Sequence, residues 1–152
     1  MRNAFLISTL LAASLLASCG GGDSASEPVA FQSLQDDITR SLPAGTFVFK
    51  TQAEMEAVWT AAPQQFGDPK PLPVVDFSQS MVVGVSLGVG IRCNMPIITS
   101  IERQSDDFVV SYKTNEDTGV TTLACLHQWH LTDFAAIPAT GGTVMFQRIV
   151  SS

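Results

Sequence analysis

The sequence predicts a small single domain, mainly β with one main helix (α+β), its strands forming a curved, largely antiparallel sheet or a sandwich. Three observations lead there. Only one segment, Gln52–Ala61, repeats apolar residues at helical spacing, and it follows Thr51 and Glu54, a capping-box pair. From Val74 onward, β-branched and aromatic runs alternate with short polar clusters of turn-forming residues. The chain has 152 residues and is 45% hydrophobic, enough for one core and with no internal repeat that would call for a second domain.

Along the chain, Leu34 and Ile38 stand four apart, so Phe31–Thr39 reads equally as a helical turn or an irregular first strand. Thr46–Phe49 alternates β-formers and predicts a short strand. In the helix, Met55, Trp59 and Ala62 share a stripe, which assigns Trp59 to the core or to the seam between helix and sheet. Pro63, Gly67, Pro69, Pro71 and Pro73 then end the helix and impose an extended connection. Met81–Leu87 is almost wholly apolar and predicts a central strand, with Gly84 and Gly88 marking a bulge, a bend or a close backbone approach. Ile97–Arg103 and Phe108–Lys113 predict a hairpin around Gln104–Asp107, with Phe108, Val110 and Tyr112 on one face. Asn115–Gly119 reads as an acidic turn, and Leu123–Leu131 and Thr143–Val150 complete the strands.

The N-terminus predicts where the protein works. One basic residue, Arg2, precedes an apolar run from Ala4 to Ala17, too short to span a bilayer as a finished helix. That run ends in Leu16-Ala17-Ser18-Cys19-Gly20, which resembles a bacterial lipoprotein export signal. The resemblance divides the chain into a signal peptide (1–18), a lipidated Cys19 with a polar tether (19–30) and a single periplasmic domain (31–152). It implies acyl chains such as palmitate on Cys19, enough for attachment without a spanning helix. Gly20, where inner-membrane retention in enteric-type cells uses an aspartate, favours the outer membrane facing the periplasm; the inner membrane and the cell surface stay open.

Without Arg2, the chain carries seven Lys/Arg against fourteen Asp/Glu, a net charge of −7. Such a surface repels phosphate backbones, and no basic stripe interleaves with aromatics, which argues against nucleic acid as a partner. With Cys19 assigned to lipid, Cys93 and Cys125 are left in a compartment where disulfides persist. A bond between them is expected, stabilising by roughly 3–4 kcal/mol in the chain-entropy picture. Two free thiols or a redox pair are the rivals, the latter opposed by the absence of a Cys-x-x-Cys spacing.

Val58-Trp59 at the helix end, Val75-Asp76-Phe77, and Met81-Val82-Val83-Gly84-Val85-Ser86-Leu87-Gly88 together resemble the C-terminal domain of the PrcB-type protease-complex lipoproteins. The resemblance covers about Thr46 to Ile149 and implies an accessory protein that stabilises a protease complex, with protein interaction and no catalysis. The chain departs from the pattern at Gly88–Pro96, where relatives carry a glycine-rich turn of the Thr-Gly-Gly-Tyr kind and this sequence has Cys93. A second departure is Cys125–His130, where relatives often have Gln/Thr-Pro.

Residues able to carry chemistry are few. His127 and His130, with Asp133 three further on, would share a helical face and begin a metal site. On a strand, residues three apart point to opposite faces, so ordinary hydrogen-bonded histidines are expected and neither a metal nor any other cofactor. Gly84-Val85-Ser86-Leu87-Gly88 lacks the register of a nucleophile elbow. The pairs Asp36-Asp37, Asp106-Asp107 and Glu116-Asp117 read as solvated turn acids. Aromatic and Arg side chains anchor protein interfaces, so Arg92, His127, Trp129 and His130 form the expected binding surface. The sequence therefore predicts a non-enzymatic envelope lipoprotein that binds or stabilises another envelope protein. The alternative is a small-ligand or glycan-binding lipoprotein, which would need a concave site with convergent polar groups.

Overall fold

A computed structural model describes residues 26–34, 40–63, 71–91, 94–114 and 128–150. The described chain is a small single α+β domain with one helix and two four-stranded sheets. One sheet has the order β1-β5-β6-β8, formed by Glu27–Pro28, Pro96–Gln104, Asp107–Thr114 and Val144–Arg148. The other has the order β2-β7-β4-β3, formed by Gln32–Ser33, Gln128–Pro138, Ser80–Ile91 and Gly45–Phe49. Every pairing is antiparallel except β6 with β8, which is parallel.

Helix α1 spans Gln52–Ala61 and begins as its sequence dictates. The Glu54 N–H donates to Thr51 Oγ1 (3.2 Å), and the Thr51 N–H donates to Glu54 Oε2 (3.1 Å), so two free N-terminal donors are satisfied reciprocally. Met55 and Trp59 are buried, and with Ala62, Leu34, Leu42, Phe49, Val82 and Phe134 they form one apolar cluster. A second cluster joins the two sheets: Met81, Val83, Ala135 and Ile137 from β4 and β7 meet Ile98, Ile101, Phe108 and Val110 from β5 and β6. Because side chains alternate along a strand, β4 and β7 supply both clusters, one from each face. This is why Met81–Val85 is apolar without alternation: Met81, Val82, Val83 and Val85 are all at most 1% exposed.

Gly84 and Gly88 have separate reasons. A Cβ on Gly84 would lie 2.1 Å from the Phe134 ring, which is its partner across the β4–β7 ladder. Gly88 sits in the bulge between Ser86 and Val89 with φ of 78°, a left-handed conformation that glycine adopts at little cost. The β5–β6 hairpin closes at Gln104↔Asp107, and Ser105 takes φ of 59° there. Phe108 and Val110 are fully buried, with Tyr112 packed against the same cluster, as their shared face predicts.

The N-terminal segment ties the sheets together. Glu27 and Pro28 pair with β5, Val29 N–H donates to Ile101 O (2.8 Å), and four residues later Gln32 and Ser33 pair with β7. Between them, Val29 and Phe31 pack on the cluster shared by both sheets.

One expectation is not met among the described bonds: no Cys93–Cys125 disulfide is among them, and both cysteines lie outside the described residues. Next to them, β4 and β7 remain in register through Gly90↔Trp129 and Ile91↔Gln128. The acidic turn at 115–119, the strand expected over 123–127 and the paired acids Asp36-Asp37 also lie outside the described residues.

Candidate functional site

Polar groups inside the fold concentrate in the first half of β7. His130, Thr132 and Asp133 are 9%, 2% and 4% exposed, in a strand whose second half is apolar. His130 and Thr132 lie on the same strand face as Phe134, toward the helix-side cluster. There the Ser41 hydroxyl and His130 Nδ1 form a hydrogen bond of 3.0 Å, and Nε2 is buried without a partner. Burial holds the His130 imidazole below its ordinary pKa, so it is neutral at neutral pH.

Nearby on that face, Ser86 Oγ donates to the Leu42 carbonyl (3.0 Å) and accepts from the Gly88 N–H (3.1 Å). Arg40 closes the same segment, donating from Nη1 to the Ala62 carbonyl (3.1 Å) with its guanidinium 5.7 Å from the Trp59 ring centre. Residues 40–42 are thus pinned to β7, to β4 and to the end of α1.

Asp133 points the other way, toward β5. Its Oδ2 accepts the Ile98 N–H at 2.6 Å, a bond across the two sheets, while Oδ1 is buried with no partner. Burial pushes its carboxyl up to about 6, against the smaller opposing effect of the Ile98 and Phe134 backbone N–H groups. Val85 is its ladder partner, and β4 carries no charged residue.

This geometry separates the groups that acid–base chemistry would need together. Ser41 and His130 are bonded, and among the described residues the buried carboxylate, that of Asp133, lies on the opposite face of the strand from the imidazole. Among the described residues, no three His, Cys, Asp or Glu side chains could hold a metal ion.

Of the residues expected to form a binding surface, His130 is buried and bonded to Ser41. Trp129 is placed through its backbone, paired with Gly90, and its side chain is outside the description, as are Arg92, His127 and the lipidation candidate Cys19. Sequence reasoning missed Ser41, because nothing local marks a serine that meets a histidine 89 residues away. An open groove of about 340 Å³ lies along the other end of this sheet, lined by Phe31, Gln32, Gln79, Ser80, Ile137 and Pro138 among others, with no charged side chain. Comparison with family models, curated proteins and solved structures finds no match for this chain.

Proposed function

We propose that the protein is an envelope lipoprotein, held through Cys19 at the outer membrane and facing the periplasm, whose domain binds or stabilises another envelope protein in a non-enzymatic accessory role. The observation that carries the reading is Val89. It is 49% exposed on the stretch of β4 that continues past the bulge, directly opposite His130 and next to the Gly90↔Trp129 pair. Val89 shares a strand face with His130, while its neighbours in the ladder and in the sequence, Trp129 and Arg92, are of the residue types that anchor protein interfaces. The resemblance to PrcB-type accessory lipoproteins and the export-signal pattern ending at Cys19 support the same reading.

The finer architecture belongs to this proposal. The cluster shared by β4, β7, β5 and β6 supports a sandwich of two curved sheets, with α1 on the outer face of one. Small-ligand or glycan binding is the second reading, favoured by the groove beside Phe31 and Pro138.

A photo-crosslinking residue placed at Val89, and separately at Arg92 or Trp129, in the lipidated protein in its own membrane tests the first reading. One reproducible protein adduct shared by these positions is the expected result. If the correctly anchored protein yields no protein adduct at any of them, the accessory reading fails and the groove becomes the place to look.

A further inference from the structure

The N-terminal segment is the outer cover of a long strand. Among the described residues, β5 has nine residues, and on the side away from β6 it is paired only with β1, which has two. A long outer strand offers its backbone groups to any extended chain that meets it. Here that cover consists of the register pairs Glu27↔Arg103 and Pro28↔Glu102 and of the bond from the Val29 N–H to Ile101 O.

The cover is lightly held. Val29 and Phe31 are half-buried against the cluster shared by both sheets, whereas Glu27, Pro28, Ala30 and Gln32 are exposed. Glu27 and Val29 turn their backbone groups to β5, so Pro28, which has no N–H, faces away from it. The segment becomes firmly anchored at its end: Ser33 has an interaction of its own, and Leu34 is buried and donates to Phe134 O (2.8 Å). Beside Ala30–Gln32, the open groove of about 340 Å³ reaches β7 at Ala136–Pro138.

We propose that Glu27–Gln32 is a detachable strap, holding in the free protein the seat on β5 that an extended segment of the partner protein takes in the complex. This rests on the accessory role proposed above and supplies its mode, strand addition, in which main-chain bonds give affinity and alternate side chains give specificity. The seat is the outer side of Ile101–Arg103, continued by the half-buried positions of Val29 and Phe31. Ser33 and Leu34 stay in place and serve as the hinge.

The strap displays the chemistry that the seat accepts. Glu27 stands opposite Arg103, whose guanidinium lies 5.2 Å from the Phe108 ring centre, and Val29 and Phe31 follow at a spacing of two. The segment that replaces the strap therefore has the form acid–x–apolar–x–apolar. The strap of a second copy has that form as well, but each chain carries a net charge of −6, and like charge opposes the approach of two copies. A partner less acidic than this chain meets less opposition.

Fluorescence anisotropy of a labelled peptide copying residues 26–33, titrated with the full chain, tests the exchange. Gln32→Pro takes from the strap an N–H that alternation from Leu34 turns toward β7, at an exposed position. The variant is expected to bind the peptide about tenfold or more tightly than the native chain, because its own strap competes less. A control peptide with serine in place of Glu27, Val29 and Phe31 should bind neither protein. No binding, no gain in the folded variant, or equal binding of the two peptides overturns the proposal. If circular dichroism shows the variant unfolded, hydrogen exchange of the native chain decides. The Val29 amide should exchange about a hundredfold faster than that of Val83 in the middle of β4, and equal rates overturn the strap. A dimer of the native chain that the peptide dissociates would seat a second copy there and overturn the choice of occupant. Protein adducts at Val89 without peptide binding would leave the accessory role standing and remove the strap alone.

Discussion

Asp133 is a buried acid whose protonation bears directly on the stability of this domain. Its carboxyl titrates at about 6 in the fold against an ordinary 3.8, so the folded state holds the proton more tightly than the unfolded chain. The stabilising contribution is complete below about pH 4 and is lost as pH rises through about 6, a difference of about 3 kcal/mol. Asp133→Asn keeps an acceptor for the Ile98 N–H and carries no charge. Denaturant unfolding should find the variant more stable than the native protein by up to about 3 kcal/mol at about pH 8, with the gap closing by about pH 4. Parallel stability curves for the two proteins would rule this account out. His130 acts in the opposite direction, because its lowered pKa gives stability that is present above the ordinary 6.5 and fades as pH falls. Neither effect was legible in the sequence. The separation of three between His130 and Asp133 showed only that a strand would divide them. The partners that make each residue matter, Ser41 and Ile98, come from distant segments.

At the scale of elements, local chemistry and local structure agree closely. Thr51 and Glu54 announce the start of α1, and the structure forms both halves of the capping box. Thr51→Ala should lower stability by about 1 kcal/mol and leave the fold intact, measured as a shift in the thermal or denaturant midpoint. Gly84→Ala should cost more, because the Phe134 ring occupies the space of the new methyl and is stacked 6.3 Å from Phe49. About 1–3 kcal/mol is the usual range for overpacking; coupled loss in the Gly84→Ala, Phe134→Leu double variant, where the smaller side chain relieves the clash, provides the check. The β5–β6 hairpin, the central β4 strand and the seam position of Trp59 were legible because each rests on neighbours in sequence. The two-residue strands β1 and β2 were not, since so short a segment has no period to read and is held by its partner strand alone.

For the molecule as a whole, composition set the class and long-range pairing set the arrangement. The apolar run of β4 indicated burial on both faces, but not that α1 would cover one and β5–β6 the other. The parallel β6–β8 pair was likewise invisible, because the connection between them passes through β7 in the other sheet. The segment Glu27–Ser33 has a mechanical meaning as well. A domain held by its N-terminus, as proposed for this one, would be pulled through that end, and among the described residues Glu27–Pro28 pair with one sheet and, past Val29 and Phe31, Gln32–Ser33 with the other. Among the described residues, load arriving from that end would reach β1 first, where two register pairs resist it. Stretching single molecules from the N-terminus against a C-terminal handle should therefore give a small, early extension as the stitch at β1 releases, well before the main rupture of the two sheets. With the anchoring at Cys19 proposed above, the stitch would work as a fuse: drag from the membrane side would open a few residue pairs at β1 before it reached the core that holds Trp59 and Phe134.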